Sequence, residues 1–243
     1  MMNRKGTIWI ILGLLLIAAA LLITAHNLRE NSYVGEVSEE VVNQLDEIIP
    51  SQPVQEPTKE HDSAGSPEYP MEAFTEEEIP DYILNPNMEM PTETINGNEY
   101  IGVLEIPSLE LRLPVMSEWS YPKLKIAPCR YEGSAYTNAL IIAAHNYASH
   151  FGQLKNLHIG DEIIFTDMDG NVFRYEVVEL ETLMPTAIEE MTSGDWDLTL
   201  FTCTIGGGSR VTVRCELAKK STYERAARIM PVDTEKKTNG GKA

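Results

Sequence analysis

Cys203 ends an alternating run, DLTLFTCTIGGGSRVTVRC over residues 197–215. A cysteine becomes a nucleophile when its proton can be removed and its surroundings favour the thiolate. In the strand before it, Leu198, Leu200 and Thr202 point one way and Thr199, Phe201 and Cys203 the other. After the loop, Val211, Val213, Cys215 and Leu217 share a face, with Arg210, Thr212 and Arg214 opposite. The aliphatic face must go inward, which sends Arg210 outward. The Gly-rich connection Thr204–Ser209 is short, so the strands should pair as an antiparallel hairpin with Cys203 facing Arg210. A free thiol would therefore sit beside a guanidinium on the outer face of a strand end.

Such a thiol needs a proton acceptor near neutral pH, and histidine is the natural one. His145 follows the apolar run ALIIAA (139–144) and opens the polar loop His145-Asn146-Tyr147-Ala148-Ser149. Strand ends feeding polar loops commonly mount functional side chains. Spacing alone does not bring His145 to Cys203, and a solvated loop histidine is the alternative. His26, His61, His150 and His158 have no comparable placement and read as surface residues. Arg214 reads as a structural or salt-bridged strand arginine in preference to a substrate-binding one.

The elements that would carry these residues are short and strand-like. Ile101–Ile106, Leu111–Val115, Ala139–Ala144, Asp161–Thr166, Asn171–Leu180, Trp196–Cys203 and Arg210–Leu217 alternate with turn signals, the pattern of an all-β barrel or sandwich. Short helices fit Tyr121–Ile126, His150–Leu157 and Ala187–Met191. Asp169-Gly170 favours a tight hairpin between two of the strands. Asp167-Met168-Asp169-Gly170-Asn171 faintly suggests a calcium loop, but its glycine comes too early and no bidentate glutamate is placed for it. Gly206-Gly207-Gly208 joins strand to strand and lacks the lysine and helix of a phosphate loop. No His/Cys spacing suggests zinc, and no cofactor is called for.

Before this texture begins, the chain is different. Thr7–Thr24 is an uncharged apolar run preceded by Arg4 and Lys5. At about 1.5 Å per residue it nearly spans a ~30 Å hydrocarbon core, and it exceeds the ~7–15 residues of a cleaved signal core. An uncleaved anchor with everything after residue 25 outside the cell is expected. Residues 26–95 are rich in Pro, Glu, Ser, Asn and Gln, as in SQPVQEPTKEHDSAGSPEYP, and read as an extended, largely disordered acidic stalk. The stretch 27–99 holds 18 acidic residues against only Arg29 and Lys59, most of the chain's net charge of −18. Glu76–Glu78 belong to this solvated stalk. One short helix is expected at Glu36–Ile49, where Val37, Val41, Leu45 and Ile48 recur at helical spacing. No basic cluster suits nucleic acid. The expected organisation is a cytoplasmic N-terminus (1–6), a transmembrane anchor (7–25), the stalk (26–95), a catalytic domain (96–218) and a tail (219–243) that starts as a helix at KKSTYERAARI. Three cysteines outside the cell leave at least one free thiol. A Cys129–Cys215 bridge is formally open, and two buried free thiols are the simpler reading.

Ala144-His145-Asn146 after an aliphatic strand, Thr199-Leu200-Phe201-Thr202-Cys203 at a strand end and Arg210 opening the next strand resemble the sortases, over roughly Tyr100–Leu217. The resemblance implies a closed β-barrel of seven to eight strands behind an N-terminal transmembrane helix, on the outer face of a Gram-positive-type cell membrane. It implies Cys203 as nucleophile, His145 as general acid/base, Arg210 as oxyanion or substrate stabiliser, and Thr202 as a substrate-positioning residue. The implied reaction cleaves an LPxTG-like sorting signal of a surface protein through a thioester. The acyl group then passes to an amine of a cell-wall precursor or pilin. Ile205 departs from sortases that carry Asp two residues after the cysteine, so no fourth catalytic member is expected. The short segment between Leu183 and Asp195, and the lack of an Asp-Pro-aromatic motif, resemble a class D-like enzyme more than class B or a pilus polymerase. Two competitors stand beside this reading. A papain-like wall peptidase would place its cysteine before its histidine and on a helix. A non-catalytic tethered binding barrel would make Cys203 dispensable.

Overall fold

In the computed structural model the described residues are 4–50, 79–194 and 196–218. Nine strands form one sheet: β1 (Glu93–Ile95), β2 (Asn98–Ile106), β3 (Leu111–Met116), β4 (Cys129–Glu132), β5 (Leu140–Ala144), β6 (Glu162–Asp167), β7 (Val172–Leu183), β8 (Leu198–Cys203) and β9 (Arg210–Leu217). Their spatial order is β1-β2-β3-β4-β5-β8-β9-β7-β6, and β6 pairs back onto β2. Strands β2 to β9 are therefore a closed eight-stranded barrel, with β1 as a flap on β2. Closure removes the sheet edges that would otherwise template aggregation.

Alternation decides what fills the barrel. Leu140, Ile142 and Ala144 of β5, Leu198 and Leu200 of β8, and Val213 and Cys215 of β9 point inside, with Ile101, Leu104, Phe165 and Tyr175. The intervening Ile141, Ala143 and Phe201 are also buried, in a separate outer cluster with Met191. That is why ALIIAA is apolar on both faces: its outward side is covered. Two strands escaped the sequence reading. β4 is only four residues and alternates poorly. β1 turns into β2 through Asn96-Gly97, both with positive φ (51° and 77°), an Asn-Gly hairpin signal that went unused.

The N-terminal segment differs from the expected stalk. α1 runs unbroken from Arg4 to Ile48, since only Gly35 and no proline interrupts residues 14–49, and Pro50 stops it. Its first half is the apolar run. Its second half includes the short helix expected at Glu36–Ile49, continues it back through residues 26–35 where extended stalk was expected, and lies on the barrel. Val34, Ser38, Val41, Val42 and Leu45 form its buried stripe, and Val41, Val42 and Leu45 pack with Ile95, Tyr100, Val103, Met116 and Cys129 on the barrel's outside. Full burial of each valine or leucine here stabilises by about 1.5–3 kcal/mol. Arg112 of β3 pairs with Asp46 at the end of the helix. The short helix α2 (Asp81–Leu84) also lies within the expected stalk, and Tyr82 stacks on Tyr136 at 4.8 Å. Glu76–Glu78, His61 and the tail helix expected after Ala218 lie outside the described residues.

All three cysteines are free. Cys129 belongs to the α1-side cluster and Cys215 to the barrel interior, so the sheet separates them. Burial pushes the Cys129 thiol up to about 12 and raises Cys215 as well.

Candidate functional site

The β8–β9 hairpin is in the expected register, and its terminal pair is Cys203 with Arg210. Its mouth is closed by Thr204 N donating to Ser209 O at 2.9 Å and Ser209 N donating to Thr204 Oγ1 at 3.0 Å. The Arg210 guanidinium folds over this loop, donating to the carbonyls of Gly207 (3.3 Å) and Ser209 (3.2 Å). Cys203 is the one cysteine that is partly exposed.

His145 arrives from across the barrel wall. β5 lies parallel to β8, and their last pair is Ala144 with Thr202. His145 and Cys203 are the next residues on each strand, and both line one groove with Arg210. Thr202 is buried and donates its hydroxyl to Ala144 O at 2.8 Å. Its donor is spent on tying the two strand ends together. The loop after His145 folds back on itself: Phe151 N donates to His145 O at 3.2 Å and Gly152 N to Tyr147 O at 2.9 Å. A Cβ at Gly152 would sit 2.7 Å from the Tyr147 carbonyl, so only glycine fits. Burial, and then Lys125, hold His145 below its ordinary pKa, with Glu30 acting the other way. This lowering favours the neutral imidazole, the form that can accept a proton.

His150, expected at the surface, is fully buried. The reason is α1, which covers the loop. Ser38 Oγ is hydrogen-bonded with His150 Nε2 at 3.2 Å, Tyr147 Oη donates to Glu30 at 3.0 Å, and Ser149 Oγ donates to the Asn31 carbonyl at 3.2 Å. Gly35 lets the helix come close, since a Cβ there would stand 3.3 Å from Ser149 Cβ. Burial, and then the charge of His145, lower His150 to about 4. His26 and His158 are exposed, as expected.

The groove over the outer face of β5 and β8 has a volume of about 340 Å³ and is largely apolar. Its floor is an aromatic series, Trp119 to Tyr131 (5.3 Å between centroids) and Tyr131 to Phe201 (5.2 Å). Its far wall is α3 (Ile188–Thr192), presenting Ile188 and Met191. Arg214 holds that wall. It is 2 % exposed and donates to Glu181 (2.8 Å), Thr199 Oγ1 (3.1 Å) and the carbonyls of Met191 (2.8 Å) and Glu190. The structural reading of Arg214 is thus the one observed. Trp119, Tyr131, Ile188 and Met191 were not foreseen as lining. The apolar outward face of ALIIAA was the available signal. Asp167 caps its own turn, accepting from Asp169 N (3.0 Å), Asn171 N (2.8 Å) and Tyr136 Oη (2.7 Å), which is a turn's use of a carboxylate. Among the described residues no group of three or more His, Cys, Asp or Glu could hold a metal.

The family model for the Sortase domain matches residues 104–218, nearly the whole barrel. Residues 104–218 are a sortase domain, and sortases are cysteine transpeptidases. No curated protein matches the chain. Among solved structures, sortase C from Clostridium perfringens SM101 is 28 % identical with a TM-score of 0.44, covering 50 % of this chain and 71 % of that one. Clostridium perfringens sortase C with the C-terminal cell wall sorting motif is 24 % identical (TM-score 0.47; 61 % and 93 % covered). Sortase A from Corynebacterium diphtheriae, a lid mutant, is 17 % identical (TM-score 0.47; 60 % and 95 % covered).

Proposed function

We propose that this sortase is held at the membrane by the apolar half of α1 and cleaves an LPxTG-like sorting signal with Cys203 as nucleophile. The observation that carries the reading is the convergence of Cys203, His145 and Arg210 on one groove, through the Cys203–Arg210 register pair and the parallel β5–β8 pair. The apolar, aromatic groove suits the Leu-Pro part of such a signal. Neutral His145 takes the thiol proton, and the sulfur attacks the scissile carbonyl, forming a thioester. The imidazolium then protonates the leaving amine. Arg210 stabilises the developing oxyanion, where a charged donor acts more strongly than in bulk water. Thr202 positions the pair by locking Ala144 to the end of β8. An amine from a cell-wall precursor or pilin resolves the thioester. The active domain lies outside the cell, with residues 1–6 inside.

The test is a peptide-library screen of the purified full chain, with mass detection of the acyl-enzyme. The expected result is cleavage of a sorting-type motif and acylation confined to Cys203. Undiminished cleavage by Cys203→Ala, or acylation at Cys129 or Cys215, would overturn it.

A further inference from the structure

A base that serves a nucleophile is itself oriented by a third group. Among the described residues no hydrogen bond holds the His145 ring; it lies against Tyr147, with 5.2 Å between centroids and planes at 54°. Tyr147 is in turn held from outside the barrel, its hydroxyl donating to Glu30 of α1 at 3.0 Å. The next three residues are tied to the same helix. Ala148 N donates to Asn31 Oδ1 at 3.3 Å, Ser149 Oγ donates to the Asn31 carbonyl, and His150 is bonded with Ser38. His150 also meets the Tyr147 ring edge-on at 5.7 Å. We propose that Glu30 and Tyr147 are positioning residues for the reaction, and that α1 sets the angle and the charge environment of His145 through the hydrogen bond between them. The proposal rests on His145 being the base for Cys203.

The pair acts in two ways. With its hydroxyl fixed, the Tyr147 ring presents one surface for the imidazole to pack on, and a misplacement of about 1 Å at a reacting group can cost about 10²-fold in rate. Burial, and then Glu30, push the Tyr147 hydroxyl up to about 12, so it stays a donor at neutral pH. The second effect is electrostatic. The titratable or charged groups that face His145 are Cys203 and Arg210 across the groove, Lys125 ahead of β4, Tyr147 and His150 in its own loop, and Glu30 on α1. Glu30 is the one carboxylate among them. When the thiol proton moves to His145, the imidazolium that forms is favoured by Glu30 and opposed by Lys125. The proton rests on His145 throughout, and neither Glu30 nor Tyr147 exchanges one with it.

The experiment uses the full chain in detergent micelles and a library-selected peptide, with single-turnover acylation of Cys203 read by mass. Glu30→Ala and Tyr147→Phe, both at partly exposed positions, should each slow acylation about tenfold without changing the peptide concentration that gives half the maximal rate. The double variant should be no slower than either single one. Glu30→Gln keeps an acceptor for the tyrosine and should recover most of the rate. Separately, the His145 ring is titrated by NMR, its signal being the one missing in His145→Gln. Its midpoint should fall in Glu30→Ala and Glu30→Gln, which lose the charge, and hold in Tyr147→Phe, which keeps it. Acylation within about twofold of wild type in both single variants overturns the proposal. So does a multiplied loss in the double variant, a Glu30→Gln as slow as Glu30→Ala, or a His145 midpoint that ignores Glu30. A rate loss matched by a drop in the unfolding midpoint means a structural role alone and overturns it too. Undiminished acylation by His145→Gln overturns the assignment of the base itself, and is told apart because it is read on a variant in which Glu30 and Tyr147 are intact.

Discussion

The mouth of the β8–β9 hairpin and the packed layers behind it use the same residue types to opposite ends. Arg210 and Arg214 point to the same side of β9. Arg210 is partly exposed and, among the described residues, holds its own loop, whereas Arg214 is buried under α3 with four partners. His145 lines the groove while His150, five residues on, is sealed under α1. Cys203 lies at the mouth while Cys129 and Cys215 are buried. What covers a side chain, more than its identity or strand face, separates chemistry from architecture here.

The sharpest way to break this contrast is to treat the two arginines alike. Arg214→Met should cost about 3–5 kcal/mol of stability, since it strips a buried cation from Glu181 and two carbonyls. Thermal unfolding should show the midpoint falling by well over 10 °C. Arg210→Ala should leave that midpoint nearly unchanged and lower kcat by about 10²–10³, or roughly 3–4 kcal/mol in the barrier. Similar unfolding midpoints for the two variants would dissolve the distinction.

The histidines sharpen it next. The folded chain holds His150 neutral down to about pH 4, against ~6.5 when unfolded. The unfolded chain therefore takes up the proton first, and stability falls as pH drops from about 6.5 to about 4. The loss attributable to His150 reaches about 3 kcal/mol, and denaturant titrations of wild type and His150→Gln across that range should differ in slope. Smallest of all, Asp46→Ala should cost no more than about 1 kcal/mol, because the Arg112–Asp46 pair is exposed. A larger loss by denaturant titration would mean that α1 docks through that pair more than through its apolar stripe.

Legibility in the sequence followed the same division. The Cys203–Arg210 pair could be read because period-2 alternation and a six-residue connection are local signals. The barrel strands with clear alternation could be read for the same reason, and β4, which has little, could not. Placement of His145 needed the parallel β5–β8 contact, which spacing does not encode and which family resemblance supplied as an expectation. The covers were invisible for another reason. Beyond residue 26 only the helix at Glu36–Ile49 could be read, and its docking on the barrel could not, because the buried stripe is only Val34, Ser38, Val41, Val42 and Leu45 among many acids. Its partner is an outer barrel face whose bareness no single segment reveals. His150 was misplaced as a result. Arg214 escaped that error because a cation on an otherwise packed strand demands partners.

The parallel pairing of β5 with β8 has a consequence for when the thiol becomes dangerous. Residues 144 and 202 are far apart in the chain, whereas 203 and 210 meet through a loop that can close in well under a microsecond. Distant contacts form late, because the entropy of a long loop must be overcome first. Contact order therefore predicts that Cys203 gains Arg210 as a neighbour early in folding and His145 late, once the barrel closes.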